Sequence, residues 1–410
     1  MWNEKLLNIK KDPFLIIAFV LFGLVPLSSQ KVEAIITALF IILSITHSII
    51  NRNKKGLNKK YYYLINASLF FVLLITLKDG IDIDTYKKLE QMFSLLIFPI
   101  VFFLLTKEGE KKNKALFELW KSFFVLSTFI LTLICFFLIS NYSNTRYPNL
   151  DANFFQNAII DSSYFSRHPA YIAIYLNISI IICLSWILKS TVKKNIVIYS
   201  FLLLIFLTLL LMFSVKMAII ALVISCSVLL FLSLSFKKFF FKTLLFLLIP
   251  ITLFVLLAPK KYNRFSELFK TEILNEKTEY NSIFIHKKTI ICAAKIFKKN
   301  LLFGVGIENS NKLINKCVRD VYKHNPNVIY NSHNQYLSYS LHGGIIGLFF
   351  LCLVIYFGLS NTLLKEHVLF VLLLYFSVIF LTENVLERQS GLILFAFFIN
   401  IIPNIISRKQ

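Results

Sequence analysis

The sequence lacks the motifs of the common soluble enzyme classes. It contains no phosphate-binding glycine loop, no closely spaced cysteines and histidines of the kind that hold a metal ion, and no Gly-x-Ser-x-Gly motif around a nucleophilic serine. Internal repeats and low-complexity segments are absent as well. The common soluble chemistries therefore have no support in the sequence, and we expect neither a metal ion nor an organic cofactor.

Charged residues are also scarce. They make up 16% of the 410 residues, whereas 57% are hydrophobic and the mean hydropathy is +0.71. This composition is typical of an integral membrane protein. The net charge of +23 does not indicate a nucleic-acid partner, because the Lys and Arg residues occur in short clusters between apolar runs, as in the loops of membrane proteins. The expected surroundings are membrane lipids.

The apolar runs predict an all-α, polytopic membrane protein. A helix needs about 20 apolar residues to cross the hydrocarbon core, and lipid cannot satisfy the polar groups of an irregular backbone. The first run is expected to be a retained span, since no small-x-small cleavage site follows it. The sequence contains twelve such runs, at residues 13–29, 32–50, 61–77, 89–106, 119–140, 169–188, 196–213, 217–235, 243–258, 335–359, 367–382 and 390–407.

The positive charges of the short loops predict the orientation. With the N-terminus in the cytoplasm, most of these charges fall on the cytoplasmic side, for example Lys59, Lys60, Lys111 and Lys194. Both termini are therefore expected in the cytoplasm.

Three regions follow from this layout. Residues 1–258 contain the first nine helices and a long outer loop at 141–168, residues 259–334 form a larger outer loop, and residues 335–410 contain the last three helices. Long loops in compact proteins are usually functional. The large loop before the tenth helix is expected to be helical and to form a small domain of its own.

The large loop contains a predicted amphipathic helix. Apolar residues recur at helical spacing and lysines line another face, which is typical of a helix at a membrane surface. The apolar residues are Ile283, Ile290, Ala294 and Phe297, and the lysines are Lys288, Lys295 and Lys299.

Two helices and two cysteines are expected in this loop. The first helix should end at Asn300, before the glycine turn of LLFGVG, and a shorter helix should follow over about 310–322. Cys292 and Cys317 lie in the same loop and can pair if it faces an oxidising compartment, but the sequence does not give the distance between them.

Polar and basic residues gather at the predicted outer ends of spans that are distant in sequence. Taken singly, each has a simpler role: a cation can snorkel to the lipid headgroups, His333 can cap a helix, and Glu387 can form a local ion pair with Arg388. Together they suit a phosphate or diphosphate group. The candidates are Arg167, His168, Lys216, Arg264, His286, Lys287, Lys288, His333, Asn334, Glu383 and Arg388.

His333 is the candidate catalytic residue among them. A histidine titrates near neutral pH, so a neutral imidazole beside a bound diphosphate can take the proton of an attacking hydroxyl.

The stretch SHNQYLSYSLHGGIIGLFFL, residues 332–351, resembles a known signature, His-Asn-x-Tyr-Leu followed by Gly-x-x-Gly-Leu. This signature is typical of the O-antigen ligase and O-antigen polymerase superfamily of bacterial envelope glycosyltransferases. LLFGVGIEN, RHPAYIAIY, SVKMA and TENVLERQSGLILFAFF are similar to further stretches of that family. With the twelve spans and the large outer loop, the resemblance extends over nearly the whole chain.

The resemblance implies a polytopic C-type glycosyltransferase of the bacterial inner membrane, with its active site on the periplasmic face. Such enzymes transfer a glycan from an undecaprenyl-diphosphate carrier to an acceptor hydroxyl, and the ligases require no metal. The family's histidine corresponds to His333, and its cations to Arg167 and Lys216. Relatives usually carry an arginine in the large loop, where this chain has IHKKTII. The candidate substitutes are His286, Lys287 and Lys288. Arg264 is a further candidate for diphosphate binding, and the supporting residues are His168, Asn334, Tyr336, Glu383 and Arg388.

Several functions stay open. Within the superfamily the acceptor is the lipid A core for a ligase, which we favour, another lipid-linked repeat for a polymerase, or a protein hydroxyl for an O-oligosaccharyltransferase. Outside it, a lipid-linked glycan transporter and a purely structural membrane protein remain. Transporters usually place ionisable residues near the bilayer midplane and contain related halves, a pattern that this sequence does not show.

Overall fold

The computed structural model describes residues 12–51, 60–75, 83–145, 154–162, 169–234, 282–322 and 330–406, and within these ranges the chain is helical without strands. The expected ninth span, 243–258, lies outside the described residues. The helices are α1 Pro13–Gly23, α2 Gln30–Ile50, α3 Lys60–Ile75, α4 Ile83–Met92, α5 Ser94–Leu105, α6 Glu110–Thr145, α7 Phe154–Ile160, α8 Pro169–Lys189, α9 Lys193–Phe213, α10 Lys216–Ser233, α11 Ser282–Lys299, α12 Gly306–Tyr322, α13 Gln335–Thr362, α14 His367–Ile379 and α15 Gln389–Ile405.

The all-α, polytopic membrane architecture predicted from the sequence is confirmed. In the described part of the chain, seven helices are long and apolar enough to cross a membrane, and four shorter apolar helices accompany them. These seven and four correspond one for one to eleven of the twelve expected spans. The boundaries differ by a few residues: α1 already ends at Gly23, where a 3-10 turn over Val25–Leu27 follows.

Local signals set the ends of these helices, because their apolar sequences give little information along the length. Ser29 caps α2 by accepting a hydrogen bond from the Val32 amide at 3.5 Å. Between α9 and α10, Ser214 adopts a left-handed conformation (φ 50°), so that Lys216 becomes the first residue of α10. The expected place of Lys216, between the seventh and eighth spans, therefore agrees with the structure.

Helix α15 lies at the centre of the bundle, and nearly all of its residues are buried. The Phe397 ring packs on Phe22 and Trp120, with centroids 4.8 and 4.9 Å apart. Asn400 and Asn404 accept hydrogen bonds from α3, from Asn66 at 2.9 Å and Tyr63 at 2.7 Å respectively. Interhelical hydrogen bonds of this kind hold helices together in lipid, where apolar packing alone gives no hydrophobic advantage.

Helices α11 and α12 form a hairpin with a small core of its own, which includes Cys292, Ala293, Ile314 and Val318. Cys292 and Cys317 are joined by a disulfide, with Cα atoms 5.9 Å apart. The pairing that the sequence left open is thus present and ties the two helices together.

The structure corrects two details of this hairpin. Lys288 was expected on the polar face of the first helix, and this is wrong: its relative exposure is 7%, while Lys295 and Lys299 are exposed. The buried face of this helix includes Thr289, Cys292 and Ala293, because it packs on α12 and α13. The second helix starts at Gly306, earlier than residue 310, because the glycine turn leads directly into it.

The turn of the hairpin is inserted into a break in α13. Gly343 and Gly344 have non-helical backbone angles, and Gly344 has φ 64° and ψ −150°. Two backbone hydrogen bonds of 2.7 Å cross the contact, from the Val305 amide to the Leu341 carbonyl and from the Ile345 amide to the Leu301 carbonyl. A Cβ atom on Gly344 would lie 2.2 Å from the Leu302 carbonyl oxygen. Glycine therefore allows the hairpin to dock backbone to backbone on a membrane helix.

Removal of the disulfide is expected to loosen the hairpin. The bond closes a loop with a sequence separation of 25, for which chain entropy gives about 3 kcal/mol of stabilisation. A double variant with Cys292→Ser and Cys317→Ser should therefore show more protease cleavage and faster hydrogen exchange over 282–322 in the purified protein. Cys352→Ser, which removes a free exposed thiol of α13, is the control. Equal protection in both variants would contradict the expectation.

Candidate active site

The described candidate residues lie at one end of the bundle. Lys216 begins α10, His333 and Asn334 precede α13, and Glu383 and Arg388 belong to the turn that joins α14 to α15. Because successive spans cross the membrane in opposite directions, the predicted topology also puts these residues on one side of the membrane. Arg167, His168 and Arg264, which were predicted from the sequence, lie outside the described residues, and their assignments stay predictions.

His333 occupies a strained and well-held position. Its φ of 46° is one of two positive φ values at non-glycine residues in the described part of the chain. Its backbone amide donates to Asn331 Oδ1 at 3.0 Å, and the hydroxyl of Ser332 donates to Asn384 Oδ1 at 3.1 Å. The helix cap is the neighbouring Asn334, whose Oδ1 accepts from the Leu337 amide at 2.9 Å. Asn334, and not His333, therefore caps α13.

The structure places His286 directly against His333. The two imidazole rings are stacked, with centroids 3.9 Å apart and an interplanar angle of 30°. Burial lowers the pKa of His286, which favours the neutral imidazole. This contact joins the hairpin to the start of α13 at the proposed catalytic residue.

The other two large-loop candidates do not share this position. Successive residues of a helix are separated by roughly 100°, so Lys287 and Lys288 project roughly 100° and 200° away from His286. Lys287 is exposed, and Lys288 is buried at the opposite edge of the stripe that packs on the hairpin core. Of the three, His286 is the one that the fold brings to His333.

The turn between α14 and α15 supports the His333 segment. Asn334 Nδ2 donates to the Leu381 carbonyl at 2.9 Å, and the Gln335 amide donates to the Phe380 carbonyl at 2.8 Å. The Leu386 amide in turn donates to Gln335 Oε1 at 2.7 Å. Tyr336, predicted as a supporting residue, donates to the Ser377 carbonyl of α14 at 2.9 Å. These bonds fix the start of α13 against both flanks of the turn.

Glu387 and Arg388 have different partners. Glu387 Oε1 accepts hydrogen bonds from the hydroxyl of Ser338 and from Asn384 Nδ2, the latter at 2.9 Å. The Arg388 side chain lies close to the Tyr171 hydroxyl of α8. Glu387 therefore belongs to the support of α13, whereas the Arg388 guanidinium is directed towards α8.

A cleft opens beside this turn, between α8, α10 and α14. Its volume is about 10 Å³, which is room for about one water molecule, and Glu383 provides a carboxyl group to its wall. Burial raises the pKa of Glu383 to about 7, and the positive charge of Arg388 only partly opposes this shift. The cleft borders the residue that precedes Lys216, so it connects the carboxyl group with the start of α10. Its lining consists of Ala170, Tyr171, Ile174, Val215, Ala218, Ile379, Glu383 and Val385.

Replacing Glu383 with glutamine is expected to stabilise the protein at alkaline pH. An exposed glutamate has a pKa of about 4.3. Because the folded pKa is about 7, the folded protein binds more protons than the unfolded chain between these values, and the free energy of unfolding falls as the pH rises. The melting temperature of Glu383→Gln minus that of wild type should therefore become larger as the pH is raised from 5 to 8. A difference that is independent of pH would contradict the raised pKa.

One buried carboxylate at this end of the bundle was missed by the sequence reasoning. Glu33, in the first turn of α2, has 0% relative exposure and accepts hydrogen bonds from Ser390 at 2.8 Å and Tyr175 at 3.3 Å. It thereby links α2 to α8 and to the start of α15, two residues after Arg388. Its place inside an apolar span was the available signal, because ionisable residues within spans are rare and usually functional.

A second charged cluster lies at the other end of the bundle. Asp12, His47 and Glu108 offer three potential metal ligands within 4.8 Å of one another. Lys112 Nζ lies 2.5 Å from a carboxylate oxygen of both Asp12 and Glu108, and His47 Nε2 lies 3.0 Å from Glu108. The lysine ammonium thus already neutralises part of the negative charge of the two carboxylates. We assign this cluster a structural role.

Part of the chain matches a known protein family. Residues 201–352 match a protein-family model described as O-antigen ligase. The matched region extends from α9 through α10 and the hairpin to α13, and it includes Lys216, His286 and His333. No curated protein matches the sequence.

Proposed function

We propose, from the premise that this chain is a member of the O-antigen ligase and polymerase superfamily, that it is a glycosyltransferase that uses a lipid-linked donor. The donor would be a glycan on undecaprenyl diphosphate, and the acceptor a hydroxyl group at the periplasmic face of the bacterial inner membrane. The observation that carries the proposal is the convergence of His333, His286 and the turn over 380–388 at one end of a membrane helix bundle.

His333 is the proposed general base. It takes the proton of the acceptor hydroxyl while the hydroxyl oxygen bonds to the anomeric carbon of the donor sugar. The bond between that carbon and the diphosphate oxygen breaks, and undecaprenyl diphosphate leaves with the electron pair. A base of this kind contributes about 10²–10⁴-fold to the rate.

The basic residues of the site are proposed to bind the diphosphate leaving group. Lys216, at the start of α10, together with Arg167 and Arg264, is proposed to bind the diphosphate and to stabilise its charge as the bond breaks. Arginine suits this role because its planar guanidinium forms two parallel hydrogen bonds to phosphate oxygens. No metal ion is needed in this scheme, since the charge is balanced by side chains.

The cleft beside Glu383 has room for about one water molecule and is too small for a sugar ring. At neutral pH the Glu383 carboxyl group is divided between both protonation states, because its pKa is about 7, so it can accept or donate hydrogen bonds to hydroxyl groups. We propose that Glu383 and Arg388 support the site from this side.

Two observations support a periplasmic site. The disulfide between Cys292 and Cys317 suits an oxidising compartment. Among the described residues, the lysines near the connections α5–α6, α8–α9 and α13–α14 fall at the opposite end of the bundle, as the positive-inside rule requires of the cytoplasmic side. Both support the proposed position of the hairpin and His333 outside the cytoplasm.

We propose the lipid A core as the acceptor, because the matched family model is described as O-antigen ligase. Gel profiles of surface polysaccharide from a deletion strain test this. Loss of a ligase should leave bare core and accumulated carrier-linked chains, which complementation with the gene should reverse. Single repeats on the core would instead indicate a polymerase, a changed glycoprotein pattern would indicate an O-oligosaccharyltransferase, and unchanged profiles with carrier-linked glycan retained in the cytoplasmic leaflet would indicate a transporter.

A further inference from the structure

The large-loop hairpin brings one aromatic ring into face contact with the proposed catalytic residue, and the sequence does not predict this contact. His286 and His333 are 47 positions apart (333 − 286) and belong to different regions of the chain, yet their ring centroids are 3.9 Å apart. Such stacking holds two rings in a defined relative orientation.

A diphosphate-binding role does not suit His286. Phosphate binding by an imidazole is strongest when the ring is protonated, and burial lowers the pKa of His286, which favours the neutral form. A positive charge on His286 would also oppose uptake of a proton by His333 at this ring separation. One ring face is already occupied by the contact.

We propose that His286 is a positioning residue for His333, which holds the His333 imidazole in the orientation needed to accept the hydroxyl proton. This inference rests on the glycosyl-transfer function proposed above. It replaces the diphosphate-binding role that the sequence suggested for His286.

The surroundings of both residues agree with this role. The His333 backbone has a φ of 46° and is held by Asn331, but its side chain extends from a loop that precedes α13. His286 lies on a continuous helix that is fixed twice, by the disulfide at Cys292 and by the docking of the hairpin turn at Gly344. A rigid helix thus supports a catalytic side chain that comes from a less regular segment, and sites on rigid elements are the more accurately positioned.

Four variants test the inference in a detergent assay of glycan transfer from purified lipid-linked donor. His286→Ala is expected to lower kcat by about 10²-fold with little change in KM for the donor, the cost of a base displaced by about 1 Å. His286→Phe keeps an aromatic ring against His333 and should restore most of the wild-type kcat. His286→Lys should be as inactive as His286→Ala. Lys295→Ala, an exposed change on the same helix, is the control and should match wild type.

The outcomes separate the possible roles. An active His286→Lys together with an inactive His286→Phe would overturn the inference, because it would show that a positive charge is needed there. A fully active His286→Ala would overturn it as well. Equal melting temperatures of His286→Phe and His286→Ala exclude unfolding as the cause of the difference. If wild-type protein transfers no glycan, the proposed function itself fails, and this result is distinct from any difference among the variants.

Discussion

Replacing His333 with alanine is expected to reduce glycan transfer by about 10²–10⁴-fold, while expression level and melting temperature stay close to wild type. The imidazole is the proposed acceptor of the hydroxyl proton, and alanine has no group that can replace it. The start of α13 should persist, because its cap is Asn334 and its contacts with the turn over 380–388 come from neighbouring residues. The measurement is the rate of transfer by purified protein in detergent.

His367→Ala is the matched control for this substitution. His367 begins α14 at the opposite end of the bundle, so its removal changes the histidine count without touching the proposed site. Wild-type rates are expected for this variant. A His333→Ala protein with the same rate as His367→Ala would remove the general-base role from the mechanism.

Replacing Gly344 with alanine is expected to detach the hairpin from α13. The backbone angles of Gly344 (φ 64°, ψ −150°) lie in a region that is essentially restricted to glycine, and an added Cβ would lie 2.2 Å from the Leu302 carbonyl oxygen. Backbone must therefore move, and the two 2.7 Å hydrogen bonds across the contact should be lost. We expect cleavage of the hairpin by added protease together with loss of transfer, because His286 no longer meets His333.

Gly109→Ala separates backbone strain from loss of the contact. Gly109 has similar angles (φ 81°, ψ 156°), but an added Cβ would meet nothing within 4 Å. Its substitution should carry only the strain of order 1–3 kcal/mol, without loss of hairpin docking. If Gly344→Ala and Gly109→Ala reduce protease resistance of the hairpin equally, the docking contact has no specific importance.

The membrane architecture could be predicted from the sequence because one physical requirement dominates it. About 20 apolar residues are needed per span, and this requirement is visible in the composition of each segment. The end of the first hairpin helix was predictable from Asn300 and the glycines of LLFGVG, whereas the second helix begins at Gly306 and not near residue 310. Boundaries inside apolar runs were less clear, and α1 ends at Gly23 although apolar residues continue beyond it.

Contacts between distant segments could not be predicted. The burial of Lys288 depends on which face of α11 meets α12 and α13, and helical periodicity alone did not identify that face. The two adjacent glycines of α13 can be seen in the sequence, but the sequence does not show that the turn over 301–304 contacts them. The stacking of His286 on His333 depends on this docking, so it followed only from the three-dimensional structure.

The candidate site was also predictable only in part. His333, Asn334, Glu383 and Arg388 were predicted from motifs and from their places at span ends, and the fold gathers them around the turn over 380–388. Glu33 was overlooked because no motif surrounds it, although its place inside an apolar span was a signal. Its role became visible only when Ser390 and Tyr175 were found within hydrogen-bonding distance.

The central claim is that this membrane protein transfers a glycan from a polyprenyl-diphosphate carrier with His333 as the base. The most direct test incubates purified protein in detergent with lipid-linked donor and acceptor, and measures both glycosylated acceptor and released polyprenyl diphosphate. The account predicts that both products form in equal amounts without sealed vesicles or added metal, and that His333→Ala forms neither at a comparable rate. Movement of intact lipid-linked glycan across vesicles, with no product in detergent, would contradict it.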